Sequence, residues 1–191
     1  MDFSSTHNTY AKKLNINIVD IDLTRKTKSI AKHFKHNTKN TYGVIMNYVS
    51  VENSNKFISL LPVELRFSCL SVLKSSIRSL PPHTHGVGGC VINFYCKTNG
   101  EKTVCYDGDY EEIMDDAATF QSDKGYYIVD QNKLTEVFSY TAESGDVYLL
   151  NTRKPHAVVD ANNLDKSRIV IQIYLDISYK EAYNLLEHHF K

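Results

Sequence analysis

Two histidines separated by a single residue are the part of the sequence most suited to chemistry. His83 and His85 follow Pro81 and Pro82, and a third histidine, His156, comes much later in the chain. The prolines favour extended backbone over a helix, and in an extended segment the side chains of residues i and i+2 point to the same face. Because imidazole is the commonest metal ligand among side chains, the three histidines predict a metal site.

The residues from Leu80 onward are typical of a β-rich core. Short apolar and aromatic runs are separated by turn signals, and Asn99-Gly100 predicts a β-hairpin. The predicted strands are Val91–Cys96, Thr103–Tyr106, Tyr126–Val129, Leu134–Tyr140, Val147–Leu150, His156–Val159 and Arg168–Leu175.

The flanking residues predict an α/β N-terminal part and a closing helix. Ile30 and Phe34 are spaced i, i+4 among lysines, which is typical of an amphipathic helix. The predicted elements are a strand at Asn15–Leu23, a helix from Thr24 to about His36, a strand at Tyr42–Val51, a short helical or irregular link at Asn55–Leu60, a helix after Pro62 with Val63, Phe67, Leu70 and Leu73 on one face, and a helix at Tyr179–His189. We predict one domain over 1–191, with N-terminal strands and support helices at 1–78, a β core at 79–176 and a C-terminal helix at 177–191.

The composition limits the partners and the location that we expect. Its 22 basic and 22 acidic residues give a formal net charge of zero, so no overall field draws the protein to nucleic acid or to a membrane. No apolar run is long enough to span a bilayer, and residues 1–7 lack the regions of a signal peptide. We expect a cytoplasmic protein with reduced cysteines and a small-molecule or peptide substrate, and the oligomeric state is left open.

The order of motifs resembles that of the Fe(II)/2-oxoglutarate-dependent oxygenases, above all the prolyl-hydroxylase-like and aspartyl/asparaginyl β-hydroxylase-like members. In that family an HxD or HxG motif, a strand, a distal histidine and a basic residue follow one another. The corresponding segments here are His83–His85, Gly145–Leu150, Pro155–Val158 and Ser167–Gln172. The resemblance covers about residues 78 to 176 and implies a mainly β fold with flanking helices, built on a double-stranded β-helix or jelly roll.

The resemblance also implies cofactors and residue roles. It implies Fe(II) bound by His83, His85 and His156, and 2-oxoglutarate as a cosubstrate whose distal carboxylate is bound by Arg168. An arginine suits that role because its guanidinium forms two parallel charge-assisted hydrogen bonds with a carboxylate. The implied reaction is hydroxylation of a peptide, a protein side chain or a small metabolite, coupled to oxidative decarboxylation of 2-oxoglutarate to succinate.

The first motif departs from the family pattern at its third position, since His85 stands where an aspartate is usual. A neutral imidazole there leaves the metal centre one charge more positive. Three outcomes are open: His85 ligates in place of the carboxylate, a water molecule fills the position, or the site is not a working oxygenase.

The strand after the first motif offers two further polar candidates. By alternation Asn93 and Tyr95 share one face, so both are candidates for hydrogen bonds to the cosubstrate or substrate. The alternative is that Ile92, Phe94 and Cys96 point inward and that the two polar residues point outward.

A second resemblance, to the cupins, leads to a different function. The pair His83 and His85 is similar to the start of the first cupin motif, and the spacing from Gly145 to His156 matches the second, although the glutamate expected after His85 is missing. A cupin would be another dioxygenase, an isomerase or a small-molecule binding module, and a third possibility is a degenerate jelly roll without catalysis. The position of Arg168 separates the oxygenase from the cupin. An Arg168 side chain inside the barrel favours the oxygenase, and one that faces solvent favours the cupin.

Overall fold

The computed structural model describes residues 9–18, 29–35, 41–77, 79–86, 88–110, 112–113, 126–129, 131–159 and 168–189. Within these residues the chain forms two antiparallel β-sheets and short helices. The strands are β1 Ala11–Leu14, β2 Ser29–Lys35, β3 Thr41–Tyr48, β4 Cys69–Ile77, β5 Leu80–His85, β6 Cys90–Lys97, β7 Lys102–Asp107, β8 Glu112–Ile113, β9 Tyr126–Val129, β10 Thr135–Thr141, β11 Val147–Leu150, β12 His156–Val159 and β13 Arg168–Leu175. The α-helices are α1 Val51–Ser59, α2 Val63–Arg66 and α3 Tyr179–His189.

Successive strands pass back and forth between the two sheets, which is the pattern of a jelly roll. The first sheet has the order β1-β11-β6-β13-β4-β3-β2 and the second the order β10-β7-β12-β5-β9-β8. From β4 to β7, and again from β10 to β13, each strand lies in the opposite sheet to the strand before it. The predicted fold class, mainly β with flanking helices around a jelly-roll core, is confirmed.

The turn at Asn99-Gly100 therefore joins two sheets and is not the predicted hairpin. The strand before it, β6, belongs to the first sheet, and the strand after it, β7, belongs to the second. Gly100 has a φ of +80°, which glycine adopts without steric cost, and the Glu101 carboxylate accepts a hydrogen bond from the Asn99 backbone N–H at 2.9 Å. Asn99-Gly100 does form a tight turn, but strands distant in sequence decide the pairing of β6 and β7.

Helices cover the outer face of the first sheet. Phe57 of α1, Leu65 of α2 and Leu186 of α3 are buried against residues of β6, β11 and β13. The rings of Phe57 and Phe94 meet edge to face, with centroids 5.1 Å apart. These three strands are thus buried on both faces, which explains their nearly continuous apolar runs. None of the described helices is both long and apolar enough to cross a membrane.

The helix predicted from Thr24 to about His36 is wrong in the part that the structure describes. Residues 29–35 form β2, which pairs antiparallel with β3. Ile30 and Phe34 are four residues apart, a spacing that places two residues on one face of a strand as well as on one face of a helix. The spacing could not separate the two structures, and pairing with β3 decides between them.

The helix predicted after Pro62 is only one turn long. The chain leaves α2 at Arg66 and enters β4, which pairs with β13 on one side and β3 on the other. Apolar residues expected on a buried helix face are instead exposed, Val63 by 53%, Phe67 by 87% and Leu70 by 45%. Strand pairing on two sides outweighs the helical spacing of these residues.

The other predicted elements of the flanking parts have mixed outcomes. The strand predicted at Asn15–Leu23 is displaced along the chain, because the observed β1 ends at Leu14 and residues 15–18 have no regular structure. Residues 19–23 of this prediction lie outside the described residues. The observed counterparts of the remaining predictions are β3 for Tyr42–Val51, the end of α1 for Asn55–Leu60, and α3 for the C-terminal helix.

Gly89 lets the chain after β5 pack closely against the end of β13. Its backbone N–H donates to the carbonyl of Leu175 at 3.0 Å, and it forms a β-bridge with Ser178. A Cβ atom at Gly89 would lie 2.1 Å from the carbonyl oxygen of Ile177. The connection that follows the first histidine pair is therefore fixed by backbone contacts that require glycine.

Gly89→Ala is expected to lower the free energy of unfolding by more than about 2 kcal/mol, because the added methyl group overlaps backbone atoms. Gly145→Ala is the matched control. Gly145 has a φ of +101°, but nothing lies within 4 Å of an added Cβ, so only backbone strain of about 1 kcal/mol is expected. Urea denaturation measures both variants, and equal losses would contradict the steric explanation.

Candidate metal centre

Three buried histidines meet where β5 and β12 pair. His156 lies opposite His83 in the register of these strands, and His85 lies two residues further along β5. The ring centroids are 4.3 Å apart for His83 and His156, 5.2 Å for His83 and His85, and 5.0 Å for His85 and His156. One ligand atom of each residue lies within 4.8 Å of the others. The structure thus brings together the three histidines that the sequence singled out, at a spacing that could hold one metal ion.

Hydrogen bonds to backbone carbonyls orient two of the imidazoles. Nδ1 of His83 lies 2.8 Å from the carbonyl oxygen of Pro81, and Nδ1 of His156 lies 3.0 Å from that of Lys154. A carbonyl oxygen can only accept, so Nδ1 carries the proton in both rings and Nε2 keeps its lone pair. Histidines that bind metal ions usually donate their other N–H in this way, which fixes the tautomer.

All three imidazoles are neutral at physiological pH. Burial, helped by the nearby Arg168 guanidinium, lowers the pKa of His156 to about 4, although its hydrogen bond to the Lys154 carbonyl acts in the opposite direction. Burial and the neighbouring His156 hold the pKa values of His83 and His85 well below the usual value for histidine. Neutral imidazole is the form that binds metal ions, so the site is ready for a metal ion near neutral pH.

These lowered pKa values predict that the metal-free protein loses stability in acid. In the unfolded chain each histidine binds a proton below about pH 6.5, whereas His156 in the folded protein stays neutral until the pH approaches about 4. The stabilisation is therefore complete above about pH 6.5 and is lost as the pH falls from there. The loss reaches at most about 1.4 kcal/mol per pH unit for each buried histidine.

Urea denaturation in the presence of a chelator, at several pH values between about 7.5 and 5, measures this loss. His156→Gln removes one of the groups, so its free energy of unfolding should fall less steeply with pH than that of the wild type. His188→Gln, which changes an exposed histidine of α3 outside the cluster, is the matched control. Identical slopes for all three proteins would contradict the prediction.

Arg168 lies inside the barrel beside the histidines and is only 4% exposed. Its Nη1 donates to Thr103 Oγ1 at 3.3 Å, and its guanidinium carbon lies 5.5 Å from the centre of the Tyr95 ring. No carboxylate among the described residues pairs with it, and its Nε has no hydrogen-bond partner among them. A buried cation without a counter-ion is costly, so this part of the barrel is suited to an anionic group.

Asn93 and Tyr95 also face the space between the sheets. Both are buried; the Tyr95 hydroxyl lies 3.0 Å from the Tyr140 hydroxyl, and Asn93 Oδ1 accepts a hydrogen bond from Gln172 Nε2 at 3.1 Å. The other face of β6, which carries Phe94, is buried as well, under the helices. Alternation alone could not choose between the faces because both are buried. Contact of Asn93 and Tyr95 with a cosubstrate stays a prediction.

Sequence reasoning missed three polar side chains around the centre. The Tyr174 ring stacks on that of His85 with centroids 5.7 Å apart, Gln172 donates to β6, and Thr103 accepts from Arg168. Gln172 and Tyr174 follow Arg168 at even spacing along β13, so alternation could have found them. Thr103 has no such signal, because its contact depends on how the two sheets pack.

Comparison with known proteins shows similarity in fold. No family model and no curated protein matches the sequence. The structure of YcfD from E. coli aligns with a TM-score of 0.52 at 11% identity, covering 92% of this chain and 52% of that one, so this chain spans about half its length. Oxalate decarboxylase from Bacillus subtilis has a lower TM-score of 0.34 at 12% identity, and the alignment covers 73% of this chain and 27% of that one. L-ribose isomerase from Cellulomonas parahominis has a TM-score of 0.36 at 14% identity, and the alignment covers 74% of this chain and 71% of that one. At these identities the likeness shows the jelly-roll fold alone.

Proposed function

We propose that the protein is a cupin-type metalloprotein in which His83, His85 and His156 bind one divalent metal ion. The observation that carries the proposal is the convergence of three neutral, buried imidazoles within 4.8 Å of one another. No carboxylate of the described residues joins this group, and an all-imidazole set suits zinc, copper, iron and nickel better than magnesium or calcium. Three protein ligands leave positions on the ion open for a second ligand.

The second ligand is proposed to carry a carboxylate that binds Arg168. The guanidinium is buried, has no carboxylate partner among the described residues, and is near enough to lower the pKa values of His83 and His156. A carboxylate would satisfy it with charge-assisted hydrogen bonds and would remove much of the cost of its burial. The position of Arg168 inside the barrel, away from solvent, favours an oxygenase over a simple binding module.

The proposed activity is therefore that of a cytoplasmic Fe(II)/2-oxoglutarate-dependent oxygenase that hydroxylates a peptide, a protein side chain or a small metabolite. When bound, Fe(II) and 2-oxoglutarate would supply the oxidising chemistry, with succinate as a product. The residues of this chain would hold the imidazole ligands in one tautomer, bind the distal carboxylate through Arg168, and exclude bulk water from between the sheets. Asn93 and Tyr95 face that space and are proposed to contact the cosubstrate or substrate.

A second candidate is a cupin reaction that does not use 2-oxoglutarate, such as an isomerisation or a different oxidation. The observation that favours it is His85, which stands where the oxygenases usually have an aspartate and lies within reach of the same ion as His83 and His156. An all-histidine set leaves the full double charge of the ion, whereas a carboxylate would reduce it. The two candidates share the metal site and differ in whether 2-oxoglutarate binds.

Anaerobic titration with Fe(II) and then with 2-oxoglutarate tests the proposal. For the oxygenase we expect a weak visible charge-transfer band when 2-oxoglutarate is added, and succinate once oxygen is admitted. A bound metal ion without the band and without succinate would favour the second candidate. Failure to bind Fe(II), Mn(II) and Zn(II) would overturn the metal site and leave a degenerate jelly roll.

A further inference from the structure

Three polar side chains form a hydrogen-bonded row across three adjacent strands of the first sheet. The row runs from Ser75 of β4 through Gln172 of β13 to Asn93 of β6, and all three residues are buried. Ser75 Oγ donates to Gln172 Oε1, and Gln172 Nε2 donates to Asn93 Oδ1 at 3.1 Å. We call these three residues the amide row.

The amide row faces the space between the sheets, next to the candidate metal centre. Gln172 shares one face of β13 with Arg168 and Tyr174, because the three residues are an even number of positions apart along the strand. Tyr174 stacks on His85 at 5.7 Å, and Arg168 donates to Thr103 of the second sheet at 3.3 Å. The row therefore lies in the wall of the barrel that a ligand of the metal and of Arg168 would touch.

The direction of these hydrogen bonds leaves a donor available to a ligand. Because Asn93 Oδ1 accepts from Gln172, its Nδ2 amino group points away from the row and is free of the row's own hydrogen bonds. The Nε of Arg168 is a buried donor without a partner among the described residues. Buried polar groups nearly always have partners, and an unmet one costs about 1 to 3 kcal/mol. Both donors would be satisfied by oxygen atoms of a ligand.

We propose that Gln172, supported by Ser75, holds the Asn93 amide so that its amino group donates to an oxygen of the carboxylate ligand bound at Arg168. The inference rests on the proposed function, because it concerns the same ligand. In the row as observed, the Gln172 amino group donates to Asn93 Oδ1, and this arrangement leaves the Asn93 amino group to face the ligand. Gln172 and Ser75 are thus positioning residues that act through Asn93, and the site favours an anionic or carbonyl oxygen over an amino group.

A double-mutant cycle tests this division of roles. The probe is 2-oxoglutarate, titrated without oxygen into Mn(II)-loaded wild type, Asn93→Ala, Gln172→Met and the double variant. We expect Asn93→Ala to weaken 2-oxoglutarate binding about tenfold and Gln172→Met about fivefold, with no further loss in the double variant beyond that of Asn93→Ala. The Mn(II) affinity should be the same in all four proteins, because none of these residues belongs to the histidine cluster.

A purely structural role for Gln172 predicts a different pattern. In that case Gln172→Met would weaken 2-oxoglutarate binding by the same factor with and without Asn93, and the inference would be overturned. Ser75→Ala is a smaller change in the same row, and it should weaken binding in the wild type but not in Asn93→Ala, even if Gln172→Met folds poorly. A wild-type protein that binds Mn(II) but not 2-oxoglutarate would overturn the 2-oxoglutarate proposal as well, whereas an additive cycle with firm wild-type binding would overturn only this inference.

Discussion

Replacing His156 with alanine is expected to lower the affinity for a divalent metal ion by more than about 100-fold. His156 is the only member of the described histidine cluster on β12, whereas His83 and His85 both lie on β5. Without it, the two remaining imidazoles approach an ion from one strand and cannot enclose it. Isothermal titration calorimetry with Zn(II) or Mn(II) measures the loss.

His188→Ala is the matched control for this substitution, because His188 is exposed on α3. We expect it to bind metal ions like the wild type. His85→Asp is a second informative variant, since a carboxylate keeps a ligand at that position and should preserve binding that His85→Ala weakens. A loss in His156→Ala no larger than that in His188→Ala, with the fold of both intact by circular dichroism, would contradict the assignment of the cluster as a metal site.

The strands that carry the candidate metal centre could be predicted because each of them is flanked by clear turn signals. The observed β11, β12 and β13 have the predicted bounds, and each is a short apolar run that is buried on most of its length. The meeting of His83 and His156 depends further on the register of β5 and β12, which neither segment encodes by itself. That part of the prediction came from the resemblance to known jelly-roll metal sites.

Contacts between distant segments account for what the sequence could not show. In the amide row, Gln172 lies 97 residues from Ser75 and 79 from Asn93, and nothing near any of them indicates that they are neighbours. Ile30 and Phe34 fit a helix and a strand equally well until β3 is present to pair with them. Long-range pairing selects among local options, so sequence patterns named candidates on β6 and β13 but not their partners on β4 and β7.

Replacing Arg168 with methionine is expected to stabilise the metal-free protein while it abolishes binding of the carboxylate ligand. Among the described residues the buried guanidinium has a hydroxyl partner in Thr103 and an aromatic face in Tyr95, but no counter-ion. Methionine has a similar length and fills irregular space without needing a hydrogen bond. Apolar replacement of a buried ion pair is often neutral or stabilises a protein by about 1 to 4 kcal/mol. Because Arg168 has no counter-ion among the described residues to offset its burial, we expect a gain within that range.

Urea denaturation with and without ligand measures both effects of this substitution. Without ligand, Arg168→Met should be the more stable protein. With Mn(II) bound and 2-oxoglutarate at about 100 times its dissociation constant, the wild type should gain about 2.7 kcal/mol from 2-oxoglutarate, and the variant should gain almost nothing. The difference in stability between the two proteins should therefore shrink or reverse when the ligand is added.

Arg168→Lys is the matched control for charge. It keeps a buried cation but loses the guanidinium fork, so it should bind 2-oxoglutarate weakly and gain none of the stability of Arg168→Met. A methionine variant less stable than the wild type without ligand would mean that the folded chain itself satisfies Arg168, and the argument for an anionic ligand would fail. A gain in stability together with loss of binding is the behaviour of a residue whose cost in the folded chain is offset by its ligand.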